Sequence, residues 1–138
     1  MTLKLIDYNT AVLSKEKGFD WKCLSYYTIH HVCDKTPELH NSFNRHTNNY
    51  NGDEFTDQSY SAPEQVLLQQ WLREVHKIDI VIYPIKESVN GVDIEQKNIE
   101  YSYTIYEKGL FVYFNLTYPY TYEEALEEAL INGLNLVK

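Results

Sequence analysis

The sequence predicts an α+β domain: an antiparallel sheet of three or four strands with two long helices packed on one face. Two observations carry this. In "SAPEQVLLQQWLREVHKIDIVIYP" (61–84) the apolar residues recur every three or four positions up to Val75, then every two from Ile78. Further on, two alternating segments at 99–106 and 110–118 lead into a second helical stripe. With 138 residues, 43% of them hydrophobic and 23% charged, the chain has the size of one soluble domain, 1–138. Such a length buries enough surface to fold without a disulfide or metal staple.

At the N-terminus, Asp7 is placed to cap a short helix, with Tyr8, Ala11 and Val12 on one side and Gly18 following its end. "CLSYYTIH" (23–30) alternates as a strand, with Leu24 and Tyr26 on one face and Tyr27 and Ile29 on the other. This helix and strand are expected at one edge of the sheet. The next segment holds five Asn between positions 41 and 51 and few aliphatic residues. It reads as a long polar, Asn-rich loop at about 34–60, with a short strand around Phe43 or Phe55 the alternative.

Ser61 and Glu64 form an S-x-x-E capping box for a helix over 62–76, with Pro63 in its first turn. Leu68, Trp71, Leu72 and Val75 make its apolar stripe, widened by Leu67. In the strand that follows, Ile78, Ile80 and Ile82 face one way and Asp79, Val81 and Tyr83 the other. So short a connection folds the helix back over its own strand, burying both stripes together. Asn90-Gly91 signals a hairpin, and Glu107-Lys108-Gly109 a second one with Gly109 free to take a positive φ. In the last strand, Leu110, Val112, Phe114 and Leu116 are expected on one face, with Phe111, Tyr113 and Asn115 on the other. Thr121 and Glu124 cap a closing helix over 122–137, whose apolar side is Tyr122, Leu126, Ala129, Leu130, Leu134 and Val137. Gly133 within it reads as a close-packing point.

The net charge of −8 is concentrated in the second half, where residues 61–138 carry twice as many acids as bases. Nucleic-acid binding needs a basic stripe to displace counterions from phosphate, and none is present. The N-terminal residues do not read as a targeting signal, and no window reaches the roughly 20 apolar residues of a membrane span. The expectation is a cytoplasmic protein. Cys23 and Cys33 are then reduced thiols, with a bridge between neighbouring strands as the alternative.

Four pieces, "GFDWKC" (18–23), "SAP" (61–63), "QWLREVHKI" (70–78) and "YEEALEEAL" (122–130), resemble a family of short, uncharacterised proteins of Bacteroidota genomes, prophages and mobile elements. The resemblance spans nearly the whole chain. It implies a phage- or mobile-element-associated bacterial cytosolic protein and carries over no functional residues. The 30–60 region is longer and richer in Asn and His than the family's usual pattern.

Several clusters carry residue types found at functional sites. Cys23, His30, His31, Cys33, His40 and His46 are zinc-ligand types, but they form no C-x-x-C or H-x-x-x-H pair, so ordinary histidines and thiols account for them and no metal is expected. Asp93, Glu95 and Lys97 alternate as a nuclease-like trio, with Glu74 or Asp79 as a further acid. They follow a turn, where charged residues commonly face water. The α-β-β-β-α order matches that of double-stranded-RNA-binding domains, whose second helix opens with phosphate-contacting lysines. Here that turn carries Glu123, Glu124, Glu127 and Glu128, which repel a phosphate backbone and suit the helix N-terminus instead. No closely spaced Ser-His-acid or Cys-His set and no glycine-rich phosphate loop is evident, so the sequence offers no catalytic residues short of a set assembled from distant positions, and no cofactor is expected.

Thirteen tyrosines remain, seven of them between 101 and 122. Tyr101, Tyr103, Tyr106 and Tyr113 are the candidate binding residues, an aromatic surface if one sheet face is left uncovered. The expected function is contact with a protein partner or a second copy. The competing expectation is a small-molecule binder or enzyme with a pocket between the sheet and the 34–60 loop.

Overall fold

The computed structural model describes residues 3–30, 34–42, 46–55, 58–85, 88–89, 91–93, 99–114 and 121–138. The fold is α+β. In chain order the elements are α1 (Tyr8–Glu16), β1 (Ser25–His30), β2 (Asp34–Asn41), β3 (Ser59–Ser61), α2 (Gln65–His76), β4 (Ile78–Ile85), β5 (Ser88–Val89), β6 (Val92–Asp93), β7 (Glu100–Glu107), β8 (Leu110–Phe114) and α3 (Tyr122–Asn135). The described strands make two antiparallel three-stranded sheets, β2-β1-β3 and β4-β7-β8, and the small hairpin β5-β6.

The period switch at residue 78 works as the sequence predicts. Lys77 takes a left-handed φ of 59° and ends α2 in a single residue, so β4 runs back beneath the helix. Leu68, Trp71 and Leu72 of α2, Ile78 and Ile80 of β4, Tyr103 and Ile105 of β7 and Leu126, Leu130 and Leu134 of α3 form one buried cluster. Both long helices therefore cover the same face of β4-β7-β8. Gly133 is the close-packing point: a Cβ there would lie 3.2 Å from Leu72 Cδ1, 3.5 Å from Ile80 Cδ1 and 3.6 Å from Ile78 Cγ2. Val75 and Tyr122, expected on the apolar stripes, are instead exposed at the margins of the helix–sheet contact.

Four local expectations are corrected. Ser61 caps no helix. It pairs with Tyr26 in β3, and its Oγ accepts the Tyr50 N–H at 3.0 Å. The helix starts three residues after the expected 62, with Glu64 at the cap position. There the Gln65 N–H donates to the Lys4 carbonyl at 2.8 Å, so the N-terminal segment does the capping. The second correction concerns 34–60, which carries strands at both ends. β2 lies at a sheet edge, where its Pro37 and polar side chains are tolerated because its backbone pairs only with β1. Phe55 lies in a turn, not a strand, and Phe43 lies outside the described residues.

Third, β1 does not flank the helix-covered sheet but is the centre of its own. Helix α1 buries Thr10, Ala11 and Ser14, while Tyr8 and Val12 are only partly buried. Gly18, at φ +92°, closes α1 as expected, with Phe19 N–H bonded to the Ser14 carbonyl at 2.9 Å. The fourth correction is in β8. A register shift between Ile105 and Tyr106 pairs Tyr113 with Ile105 and Phe111 with Tyr106. The bulge rotates the strand, so Phe111 and Tyr113 point to opposite faces although two residues apart. Both expected hairpins form: Val89 pairs with Val92, and Lys108 (φ 53°) and Gly109 (φ 79°) close β7-β8.

Candidate functional site

The four candidate tyrosines do not form one surface. Tyr103 is fully buried under α3, where its hydroxyl accepts from Asn132 Nδ2 at 2.7 Å and donates to Glu128 Oε1 at 3.4 Å. Burial is the main reason its pKa is pushed well above the ordinary tyrosine value, with the Tyr113 hydroxyl and Glu128 carboxylate adding to it. Tyr101 is half-buried on the same face, edge-on to Tyr122 at 5.4 Å. Tyr113 stacks on Tyr103 at 5.8 Å and stays partly exposed. Tyr106 alone points to the opposite face. Strand parity decides this: Tyr103 and Ile105 sit opposite Ile82 and Ile80 of β4, Tyr101 opposite Pro84, and Tyr106 opposite Asp79.

That opposite face is covered by neither long helix. Its rows are set by the register: Asp79, Tyr106 and Phe111 lie side by side, then Val81 beside Thr104, then Tyr83 beside Ser102, which is itself buried. Val81 is 47% exposed, Phe111 54% and Tyr83 37%, whereas Ile80, one residue from Val81, is 7% exposed. Among the described residues acids stand only at its two ends, Asp79 in the first row and Glu100 opposite Ile85 in the last. Aromatic, aliphatic and hydroxyl side chains with charge at the margins are the composition of an interface core and its rim. The sequence carried the alternation of β4 that exposes Val81 and Tyr83; it did not carry the bulge that adds Phe111.

Among the glutamates that open α3, one turns inward. Glu127 is buried, and its carboxylate accepts from the Asp7 N–H at 3.2 Å, from the Thr10 hydroxyl, and from Gln65 Nε2 at 3.0 Å. Asp7 caps α1 without using its own side chain, so Glu127 supplies the anion at that helix N-terminus from across the interior. Glu127 also lines a groove of about 460 Å³, together with Lys4, Asp7, Glu124, Glu128, Ile131 and Asn132. Every acceptor bond made by Glu127 goes to a helix it holds in place, so its role here is structural.

The remaining candidates are dispersed. The Cys23 thiol is buried, donates to the Ser25 carbonyl at 3.2 Å, and has its pKa pushed up by burial. That is the reverse of what a reactive thiolate needs. His40 Nε2 is shared with Thr28 Oγ1 at 2.8 Å, and its ring stacks on Tyr26 at 5.0 Å. His31, Cys33, Glu95 and Lys97 lie outside the described residues, and Asp93 ends β6. Among the described residues no group of three His, Cys, Asp or Glu side chains is placed to hold a metal ion. The cavity beside the 34–60 segment, lined by Cys23, Thr47, Ala62 and Leu67 among others, holds about 200 Å³, below the usual ligand-pocket range of roughly 300–1,000 Å³. Among the described residues no helix is long and apolar enough to cross a membrane. No known protein family, curated protein or solved structure matches the chain.

Proposed function

We propose that this protein works by protein–protein contact through the uncovered face of β4-β7-β8, as a phage- or mobile-element-associated factor of the bacterial cytosol. The observation that carries the reading is the exposure of Val81 and Tyr83 on β4 and of Phe111 two strands away on β8, with Tyr106 of β7 beside Phe111, on the sheet face that neither long helix covers. Exposed apolar side chains scattered singly need no explanation, but a contiguous set on a rigid scaffold marks a contact surface. The family resemblance of the four sequence pieces supports the cellular setting.

A photoreactive amino acid placed at Val81 or at Phe111 tests the proposal in living cells. The expected result is a discrete cross-linked species from either position and none from the exposed control positions Asp20 and Glu123. Equal labelling at all four positions, or none on the sheet face, overturns it.

A further inference from the structure

We propose that the uncovered sheet face and the cleft at its Asp79 end are one recognition surface, fitted to a protein segment that combines apolar or aromatic side chains with a carboxylate. This rests on the contact function above and names the chemistry of the partner.

The cleft lies where α2 turns into β4, beside the β7-β8 hairpin. It holds about 510 Å³ and is lined by Arg73, Glu74, Lys77, Asp79, Lys108 and Gly109. Two residues in left-handed backbone build it, Lys77 and Lys108, and the Lys108 N–H donates to the Lys77 carbonyl at 2.8 Å. That bond fixes the two lysine backbones side by side. Asp79 belongs to both halves of the surface. It lines the cleft and opens the first row of the sheet face, level with Tyr106 and Phe111. The apolar strip therefore runs directly into the cationic end.

Charge selects the occupant. The chain has 20 acidic and 12 basic residues, so a cation here has acids in excess to pair with. Yet among the described residues Arg73, Lys77 and Lys108 take part in no ion pair, unlike Lys4, which lies 4.0 Å from the Asp7 carboxylate. Lys77 Nζ is bonded to the Glu74 carbonyl at 3.1 Å, and the Glu74 carboxylate accepts from Gln70 Nε2 at 2.9 Å instead. The C-terminal dipole of α2 explains cations at Arg73 and Lys77, but Lys108 stands on a hairpin outside that helix. A carboxylate entering the cleft meets all three cations, with Asp79 and Glu74 limiting how deep it sits. The net charge of the whole chain does not oppose this at physiological salt. Screening acts over about 8 Å, and the acids of α3 lie across the sheet from this surface.

A random-peptide display library selected on the full purified chain, followed by fluorescence anisotropy of the recovered peptides at about 0.15 M salt, tests the proposal. The expected peptides pair aromatic or aliphatic residues with Asp or Glu. Their affinity falls about tenfold in the double reversal Arg73→Glu, Lys108→Glu and also in Phe111→Ser, but is unchanged in Lys22→Glu, with far-UV circular dichroism confirming that each variant is folded. Recovered peptides without acids, no recovered peptide, or affinities indifferent to the charge reversal overturn it. A dimer of the purified chain in sedimentation velocity that is abolished by Phe111→Ser also overturns it, in favour of a second copy as occupant. Should cross-links form from Val81 in cells while the selection fails, the partner chemistry is wrong and the contact function stands; if both fail, both fall.

Discussion

Gln65 in the first turn of α2 donates to the buried Glu127 carboxylate of α3 at 3.0 Å, and the other oxygen of that carboxylate takes the Asp7 N–H and the Thr10 hydroxyl of α1. One side chain thus joins three helices. Removing it by Glu127→Ala leaves the buried Thr10 hydroxyl and the part-buried Asp7 N–H without an acceptor, while Gln65 Nε2 keeps only its bond to the Glu123 carbonyl at 2.9 Å. A loss of about 3 kcal/mol in urea unfolding is expected, whereas Gln65→Ala, which deletes one donor and leaves the carboxylate its other partners, costs about 1 kcal/mol. Similar losses for the two variants would mean the node is not integral to the fold.

At Gly133 two effects oppose each other. Alanine gains about 1 kcal/mol of helix propensity, but its Cβ would meet Leu72 Cδ1 at 3.2 Å in a packed core, where overpacking costs 1–3 kcal/mol. Gly133→Ala is therefore expected to lower stability by about 1 kcal/mol. In a Leu72→Val background, which lacks the colliding methyl, the same change is expected to raise it. A double-mutant cycle by urea denaturation reads the change of sign directly.

Lys77 holds a left-handed φ of 59°, a conformation that glycine adopts without strain. Lys77→Gly is expected to raise stability by about 1 kcal/mol and, at the same time, to weaken binding of carboxylate-bearing peptides. Greater stability without loss of binding would detach this lysine from the cleft's chemistry.

Tyr103 predicts a pH dependence. Its folded pKa lies above the ordinary value near 10, so the unfolded chain releases this proton more readily. The stability it contributes is complete below pH 10 and declines as the pH rises further, because the unfolded state then gains by ionising. Tyr103→Phe is expected to flatten the alkaline fall in the urea midpoint above pH 10. An unchanged slope would place the effect on Tyr8 and Tyr27, whose pKa values are also raised by burial.

Where side chains repeat with a clear period, the sequence was readable. The α2–β4 switch, the 107–110 turn and the packing role of Gly133 all follow from the order of residue types. Four things were not. Strand β2 is polar and joins its sheet through backbone pairing, which leaves no apolar period to detect. The helix start moved because Ser61, a good cap by type, is engaged in β3 instead, a choice made by Tyr26 and Tyr50 far along the chain. The bulge opposite Ile105 and Tyr106 undid the alternation of β8, so the aromatic surface rests on Val81, Tyr83, Tyr106 and Phe111, not on the four hairpin tyrosines. Glu127 looked like its neighbours Glu123, Glu124 and Glu128, since nothing local distinguishes a carboxylate that turns inward. The distant Thr10 and Gln65 were the missing signal.

Thiol labelling of two adjacent single-cysteine variants, Ile80→Cys and Val81→Cys, each made in a background with Cys23 and Cys33 replaced by alanine, measures the two sides of the sheet directly. Val81→Cys is expected to react with a small disulfide reagent at nearly the rate of an exposed thiol, and Ile80→Cys only as fast as the protein unfolds. If the two react at the same slow rate, the outer face of β4-β7-β8 is covered, and it cannot be the contact surface.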